Sequence, residues 1–317
     1  MAIKLGFRKS TQTGELSHIR RIKSLLSLPI FFLCLIAGNG ATAQSIDSLT
    51  RRDITFSSEG VLLAGTLFSP TDSQLAIVLV HGSGQEKRMI GFEERVAAHG
   101  ITVLTYDKRG VGESGGIYAG PEMGTNNVDS INLSLLAKDA SAAVNKLQEV
   151  AMDLPVGLVG SSQAGWIIPI AATLNPSVDF MVVFSGPTIS SLEQLRFQFH
   201  TNGDQNYWEN HSEAEARKHI KNDPDRFQFT AADPKYSLTD LDIPGLWLYG
   251  AKDIQVPAQW CIEQLNWLKG KGKPFEYRLY SNLGHNTGNA SDPTPVEDAI
   301  QWIKQQGLEY KKSSKSN

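Results

Sequence analysis

Apolar and polar residues alternate over residues 52–58 and again over 61–68, on either side of Glu59-Gly60. That period of two predicts an antiparallel hairpin. The pattern then changes. Residues 76–80 (Ala-Ile-Val-Leu-Val) form a continuous apolar run, as expected of a strand covered on both faces. A helical stretch is predicted over 92–98 and a strand over 101–106. Residues 130–150 carry Leu133, Leu136, Ala140, Ala143, Val144 and Leu147 at helical spacing, which predicts an amphipathic helix. The alternation continues with a strand at 156–159, a helix at 164–174 and a strand at 180–184. Strands at 246–249 and 276–280 flank a helix at 257–268, and a last helix covers 295–305. The Lys/Ser-rich tail from Lys311 is expected to fray. Strands alternating with helices give the fold class: α/β, with a mostly parallel sheet covered by helices on both faces.

One segment breaks the rhythm. Residues 189–243 separate two strands and are rich in Gln, Asn, Asp and aromatics, among them Phe197, Phe199, Tyr207, Trp208, Phe227 and Phe229. A structureless loop of that length is improbable in a compact domain, so a small helical cap is expected there.

The first 43 residues read as a targeting segment. A basic stretch precedes the apolar run 25–37, and Ala41-Thr42-Ala43 follows as an A-x-A site. These are the parts of a secretory signal peptide, and the apolar run is short for a membrane span. Residues 44–317 are then one domain, exported to the periplasm or secreted, and bound to a membrane only if the segment stays uncleaved. Six basic residues and one acid lie before Ala43, so the remainder holds 24 basic and 32 acidic residues, a formal charge of −8. An acidic body repels a phosphate backbone, which argues against nucleic acid as a partner. Cys34 lies in the targeting segment, so Cys261 has no partner for a disulfide and is expected to be a buried thiol.

Candidate chemistry sits at the strand ends. Gly160-Ser161-Ser162-Gln163-Ala164-Gly165 closes a predicted strand and opens a predicted helix. A nucleophile on so sharp a turn adopts a strained backbone and needs small neighbours two residues away. Gly160 and Ala164 meet that need, although the usual pattern has glycine at the second position. The turn puts the Gln163 N–H at a helix N-terminus, where it can stabilise an oxyanion. His81-Gly82-Ser83-Gly84 follows the first buried strand and can aim the Ser83 N–H at the same place. Asp253 lies in a turn before Pro257, and His285 in the loop after the next strand. The order Ser, Asp, His is the one this kind of fold uses. A serine hydroxyl needs a base, neutral imidazole supplies one near pH 7, and a carboxylate holds its tautomer. Asp107 precedes Ser162 and opens Asp107-Lys108-Arg109-Gly110, read as a structural loop. His81 is read as packing within its loop. His200, His211 and His219 are read as surface residues, and no set of residues has metal-ligand or phosphate-cradling spacing.

Through these stretches the chain resembles the α/β-hydrolase superfamily, in its serine-esterase and prolyl-oligopeptidase-like branch. The resemblance runs from about Arg52 to Trp302. It implies a triad of Ser162, Asp253 and His285, oxyanion donors at Ser83 and Gln163, no cofactor, and a cap over the pocket. The activity it implies is cleavage of a small ester through an acyl-enzyme. Thioesterase or short-peptide cleavage on the same triad is the alternative, and a non-catalytic binding module a more distant one. Glu193 and Asp204 are the weak candidates for holding a peptide's amine.

Overall fold

The computed structural model describes residues 49–88, 91–223 and 228–314. The predicted targeting segment lies outside them. Among the described residues, no helix is long and apolar enough to cross a membrane.

Strands β1 (Leu49–Ser58) and β2 (Val61–Pro70) form the hairpin. Its turn residues Glu59 and Gly60 have φ of 50° and 73°. Two left-handed residues in a two-residue loop match the twist of the paired strands, and glycine takes the second at no steric cost. Then follow β3 (Leu75–Val80), α1 (Phe92–Ala97), β4 (Ile101–Tyr106), α2 (Ser130–Gln148), β5 (Val156–Ser161), α3 (Ala164–Leu174) and β6 (Phe180–Phe184). After a long excursion come β7 (Gly245–Gly250), α8 (Ala258–Lys269), β8 (Phe275–Tyr280) and α9 (Thr294–Ser314), with labels α4 to α7 assigned within the excursion.

The strands make an eight-stranded sheet in the order β1-β2-β4-β3-β5-β6-β7-β8. β1 and β2 pair antiparallel, as do β2 and β4; the other pairs are parallel. The central strands are buried along their length, which is why they read as unbroken apolar runs. On one face Leu133, Ala140, Trp166, Ile168 and Leu265 pack from α2, α3 and α8. On the other, Val96, Ala97, Ala299, Trp302 and Ile303 pack from α1 and α9. The chain runs from β3 to β4 on one side and to β5 on the other. The crevice beyond the carboxyl ends of β3 and β5 is therefore a topological switch point, where open α/β sheets bind ligands.

The excursion contains α4 (Ser191–Thr201), α5 (Tyr207–Asn210), α6 (Glu213–Asn222) and α7 (Pro234–Asp240). Ser190 and Ser212 open α4 and α6 with complete capping boxes, using Glu193 and Glu215 three residues on. Phe197, Tyr207, Ala216 and Ile220 form a small separate core with Ile254, so two of the aromatics read from the sequence serve to hold this insertion together. Phe199 is exposed. His200 stacks on His219 with centroids 3.9 Å apart, and His211 stacks on Tyr207 at 4.7 Å.

The expected fraying from Lys311 is not what the structure shows, since α9 continues to Ser314. Two forces extend it. Gly307 packs against Leu75, and Lys311 and Lys312 in the last turn interact favourably with the negative end of the helix dipole.

A buried ion pair ties the loop after β4 to α2. Arg109 and Asp139 are 5% and 1% exposed, and the guanidinium binds the carboxylate through Nε (2.9 Å) and Nη2. Arg109 Nη2 also donates to the Ser58 carbonyl at 3.1 Å, which anchors the hairpin. Removing one partner of such a pair leaves a buried charge uncompensated. Asp139→Ala is expected to cost about 3–5 kcal/mol of stability. Arg109→Met combined with Asp139→Leu should recover most of that loss. Urea unfolding of the three variants checks both, and a single variant near wild-type stability would show that water reaches the site.

Candidate active site

The turn between β5 and α3 places Ser162 at the head of the crevice. Its φ is 53°, an uncommon left-handed conformation for a residue with a side chain. Two hydrogen bonds hold that backbone: Ser162 N–H to the Phe184 carbonyl, and Gly165 N–H to the Ser162 carbonyl, each 2.9 Å. The neighbours are small because there is no room. A Cβ on Gly160 would lie 2.5 Å from the Val80 carbonyl oxygen and 2.6 Å from the Ala164 methyl. Ala164 therefore fills the space that a second glycine would leave, and Gly160 alone keeps the clearance.

Asp253 follows β7 and is 1% exposed. One carboxylate oxygen, Oδ1, accepts the N–H groups of Gln255 (2.7 Å) and Val256 (2.9 Å). The other, Oδ2, lies 2.8 Å from His285 Nδ1. An ionised carboxylate only accepts, so the Nδ1 position carries the proton and Nε2 presents its lone pair. Nε2 is 3.0 Å from Ser162 Oγ. The His285 loop comes this close because Gly250 has no side chain: a Cβ there would strike the carbonyls of Leu283 and Gly284. Its register is set by the Lys252 N–H, which donates to the Leu283 carbonyl at 2.8 Å.

The two backbone donors read from the sequence are placed at the same crevice. Gln163 is the N-cap of α3, and Ser83 lies beyond the end of β3, which pairs directly with β5. Neither the Ser83 nor the Gln163 N–H finds an acceptor among the described residues, although Gln163 is buried. A cavity of about 50 Å³ lies under the strand ends that lead to the serine turn; Leu79, Phe92, Val159 and Phe184 line it together with His81, Glu86 and Ser161, and none of Ser162, Asp253 and His285 does.

The sequence did not reveal how the insertion meets this site. Trp208 Nε1 donates to the Asp253 carbonyl at 2.8 Å, Thr201 Oγ1 to Ile254 at 2.6 Å, and Gln194 Nε2 to Gln255 at 2.7 Å. Successive carbonyls of the loop bearing the carboxylate are thus held from α4 and α5. The signal was there only as polar residues with no obvious use. His81 packs as expected, against Glu86 and the Tyr106 carbonyl. Asp107 accepts the N–H groups of Arg88 and Glu113 and so shapes its own loop. Cys261 is buried, and burial pushes its thiol up to about 12, far from a reactive thiolate. Glu193 is occupied in its capping box, and Asp204 accepts the Asn206 N–H. Among the described residues, no group of His, Cys, Asp and Glu is placed to hold a metal ion.

A family model for serine aminopeptidase, S33, matches residues 71–239, just over half of the chain. The chain belongs to the serine aminopeptidase S33 family. It is a hydrolase of the α/β-hydrolase superfamily. Among solved structures it is similar to the acylaminoacyl peptidase of Pyrococcus horikoshii, with 16% identity and a TM-score of 0.59. That match covers 81% of this chain and 41% of the peptidase, so the chain spans less than half of that protein's length. An esterase of Pyrococcus furiosus matches with 16% identity and a TM-score of 0.59, over 87% of this chain and 96% of the esterase. A cold-adapted esterase from an Arctic intertidal metagenomic library matches at 15% and 0.53, over 84% and 98%. At such identities the likeness is one of fold. No match was found among curated proteins.

The crowding at the turn generates a sharp expectation for this S33 hydrolase. Gly160→Ala should destabilise the protein by about 1–3 kcal/mol through overpacking and depress active-site labelling with it. Adding Ala164→Gly should not restore either, because the Val80 carbonyl remains in the way. Thermal melts and labelling with a fluorophosphonate probe read the result; rescue by the second change would show that the methyl contact alone mattered.

Proposed function

We propose that this protein is a serine hydrolase that cleaves small carboxylic esters through an acyl-enzyme on Ser162. The observation that carries the reading is the continuous chain from buried Asp253 through His285 to Ser162 Oγ, at 2.8 and 3.0 Å. In the reaction Ser162 Oγ attacks the ester carbonyl while His285 Nε2 takes its proton. Asp253 holds the resulting imidazolium. The N–H groups of Ser83 and Gln163 receive the developing oxyanion, where preorganised donors act on charge that appears only in the transition state. His285 then protonates the alcohol, and water releases the acid by the same route.

The family's name makes peptide cleavage the second reading. An aminopeptidase must hold the substrate's ammonium, and Glu193 and Asp204 are engaged in local hydrogen bonds instead. A thioester would use the same machinery. The basic, apolar and small-residue pattern before Gln44 supports export of the mature protein.

The test is a panel of p-nitrophenyl esters of increasing chain length beside aminoacyl p-nitroanilides, with a fluorophosphonate probe. Short esters should turn over, and Ser162→Ala should lower kcat by about 10⁴-fold or more with the fold intact. Near-normal ester turnover by the variant would remove Ser162 from the role. Turnover of the anilides alone would move the assignment to a peptidase.

A further inference from the structure

Lys108 is not exposed, although lysine is the residue least often buried without purpose. It is 3% exposed, in the loop after β4, and its ammonium points at the crevice. Nζ donates to the Gly82 carbonyl and to Gln163 Oε1 (2.9 Å), and it lies 3.5 Å from the Gly84 carbonyl. These partners belong to the two segments that carry the free backbone N–H groups. Gln163 is held from its other side too, since its Nε2 donates to the Asn127 carbonyl.

We propose that Lys108 is a positioning residue for the oxyanion hole, fixing the peptide unit that presents the Ser83 N–H and tying it to Gln163. This rests on the serine-hydrolase reading above. In a planar trans peptide the C=O and the following N–H point in opposite directions. Holding the Gly82 carbonyl on the Lys108 side therefore turns the Ser83 N–H away from it, out of the loop. The neighbouring peptide units are fixed as well. The Gly82 N–H donates to Glu86 Oε2 at 3.1 Å, and Tyr118 OH donates to the Ser83 carbonyl at 3.3 Å. With those groups satisfied, the Ser83 N–H stays open to a substrate oxygen on the side away from Lys108. A full positive charge on the carbonyl of the same peptide unit also polarises it, which strengthens that N–H as a donor.

The surroundings keep Lys108 charged near neutrality. Burial lowers its pKa to about 8, against the opposing pull of the Glu86 and Glu122 carboxylates. Burial alone would raise the Glu86 pKa; its bond with His81, the Gly82 N–H and the Lys108 charge outweigh this and hold it below the usual carboxylate value. Glu122, in turn, accepts from Gln85 and shares the one Tyr118 hydroxyl proton with the Ser83 carbonyl. The protonated lysine is the form that holds three acceptors. As pH rises through about 8 the proton leaves, one donor and the charge are lost, and kcat should fall.

The experiment compares wild type, Lys108→Met, Lys108→Arg and Ser162→Ala on one short ester. It measures kcat and KM from pH 6 to 9.5, and affinity for a boronic acid, a tetrahedral mimic, at fixed neutral pH. Lys108→Met should lower kcat by up to about 10²-fold, the scale of a small misplacement of catalytic groups. KM should stay within about threefold, and boronate affinity should fall in step with kcat. Lys108→Arg should keep more of the rate and lose the alkaline limb, since guanidinium does not titrate in this range. A Lys108→Met variant that melts lower but keeps wild-type kcat and boronate affinity would overturn the proposal. If that variant does not fold, the wild-type and Lys108→Arg profiles decide: a flat wild-type kcat through pH 9.5, or the same limb in both, overturns it. Absence of turnover dependent on Ser162 in wild type would instead remove the serine-hydrolase reading, and this inference with it.

Discussion

The site is built around the close approach of β5 to α3. The strand must turn into the helix within a few residues, and the two cannot separate because both pack in the core between α2 and the sheet. Only a left-handed residue closes so tight a turn, and Ser162 takes that conformation at φ 53°. Holding a side-chain-bearing residue there costs on the order of 1–3 kcal/mol. The ladder of β5 with β3 and β6, the Phe184 carbonyl and the absent side chain at Gly160 together over-determine it. The same turn frees the Gln163 N–H and presents the hydroxyl to His285. In the proposed reaction, attack and oxyanion stabilisation thus share one backbone feature.

Charge inside the protein follows a consistent rule around that turn. Arg109 and Asp139 neutralise each other away from the crevice and join hairpin, loop and α2. The buried Asp253 carboxylate is paired with two N–H groups and an imidazole. Lys108 has carbonyl acceptors and, among the described residues, no carboxylate within bonding distance, which is a weaker compensation and leaves its pKa depressed. Adjacent residues of one motif, Asp107, Lys108 and Arg109, therefore do different work: the outer two shape the fold, and the middle one reaches the site.

Most of the fold was legible because its signals are local. Glu59-Gly60 announced the hairpin, and the continuous apolar runs announced the buried parallel strands. The serine turn and the order of Ser162, Asp253 and His285 were legible for the same reason, each being a short motif at a strand end. What was not legible depends on partners far apart in the chain. Trp208 meets Asp253 across 45 residues, and Lys108 meets Gln163 across 55. The end of α9 was misread because lysine and serine resemble a solvated tail, whereas lysines also stabilise the last turn of a helix.

The insertion between β6 and β7 is more than a cover. It has its own small core around Phe197 and Tyr207, and Ile254, which follows Asp253, is part of that core. Arg217 of α6 binds Glu213 and Glu263 together, clamping the insertion to α8, the helix that begins just after the same loop. The loop of Asp253 is therefore fastened from its carbonyl side by α4 and α5 and from its chain end by α8. A carboxylate that orients an imidazole must be held to within fractions of an ångström, and here the insertion supplies part of that hold. Changes in this segment therefore reach the carboxylate through the carbonyls of Asp253, Ile254 and Gln255. Under the proposed function, a substitution in α4 or α5 acts on the alignment of Asp253 with His285 even where it touches neither residue.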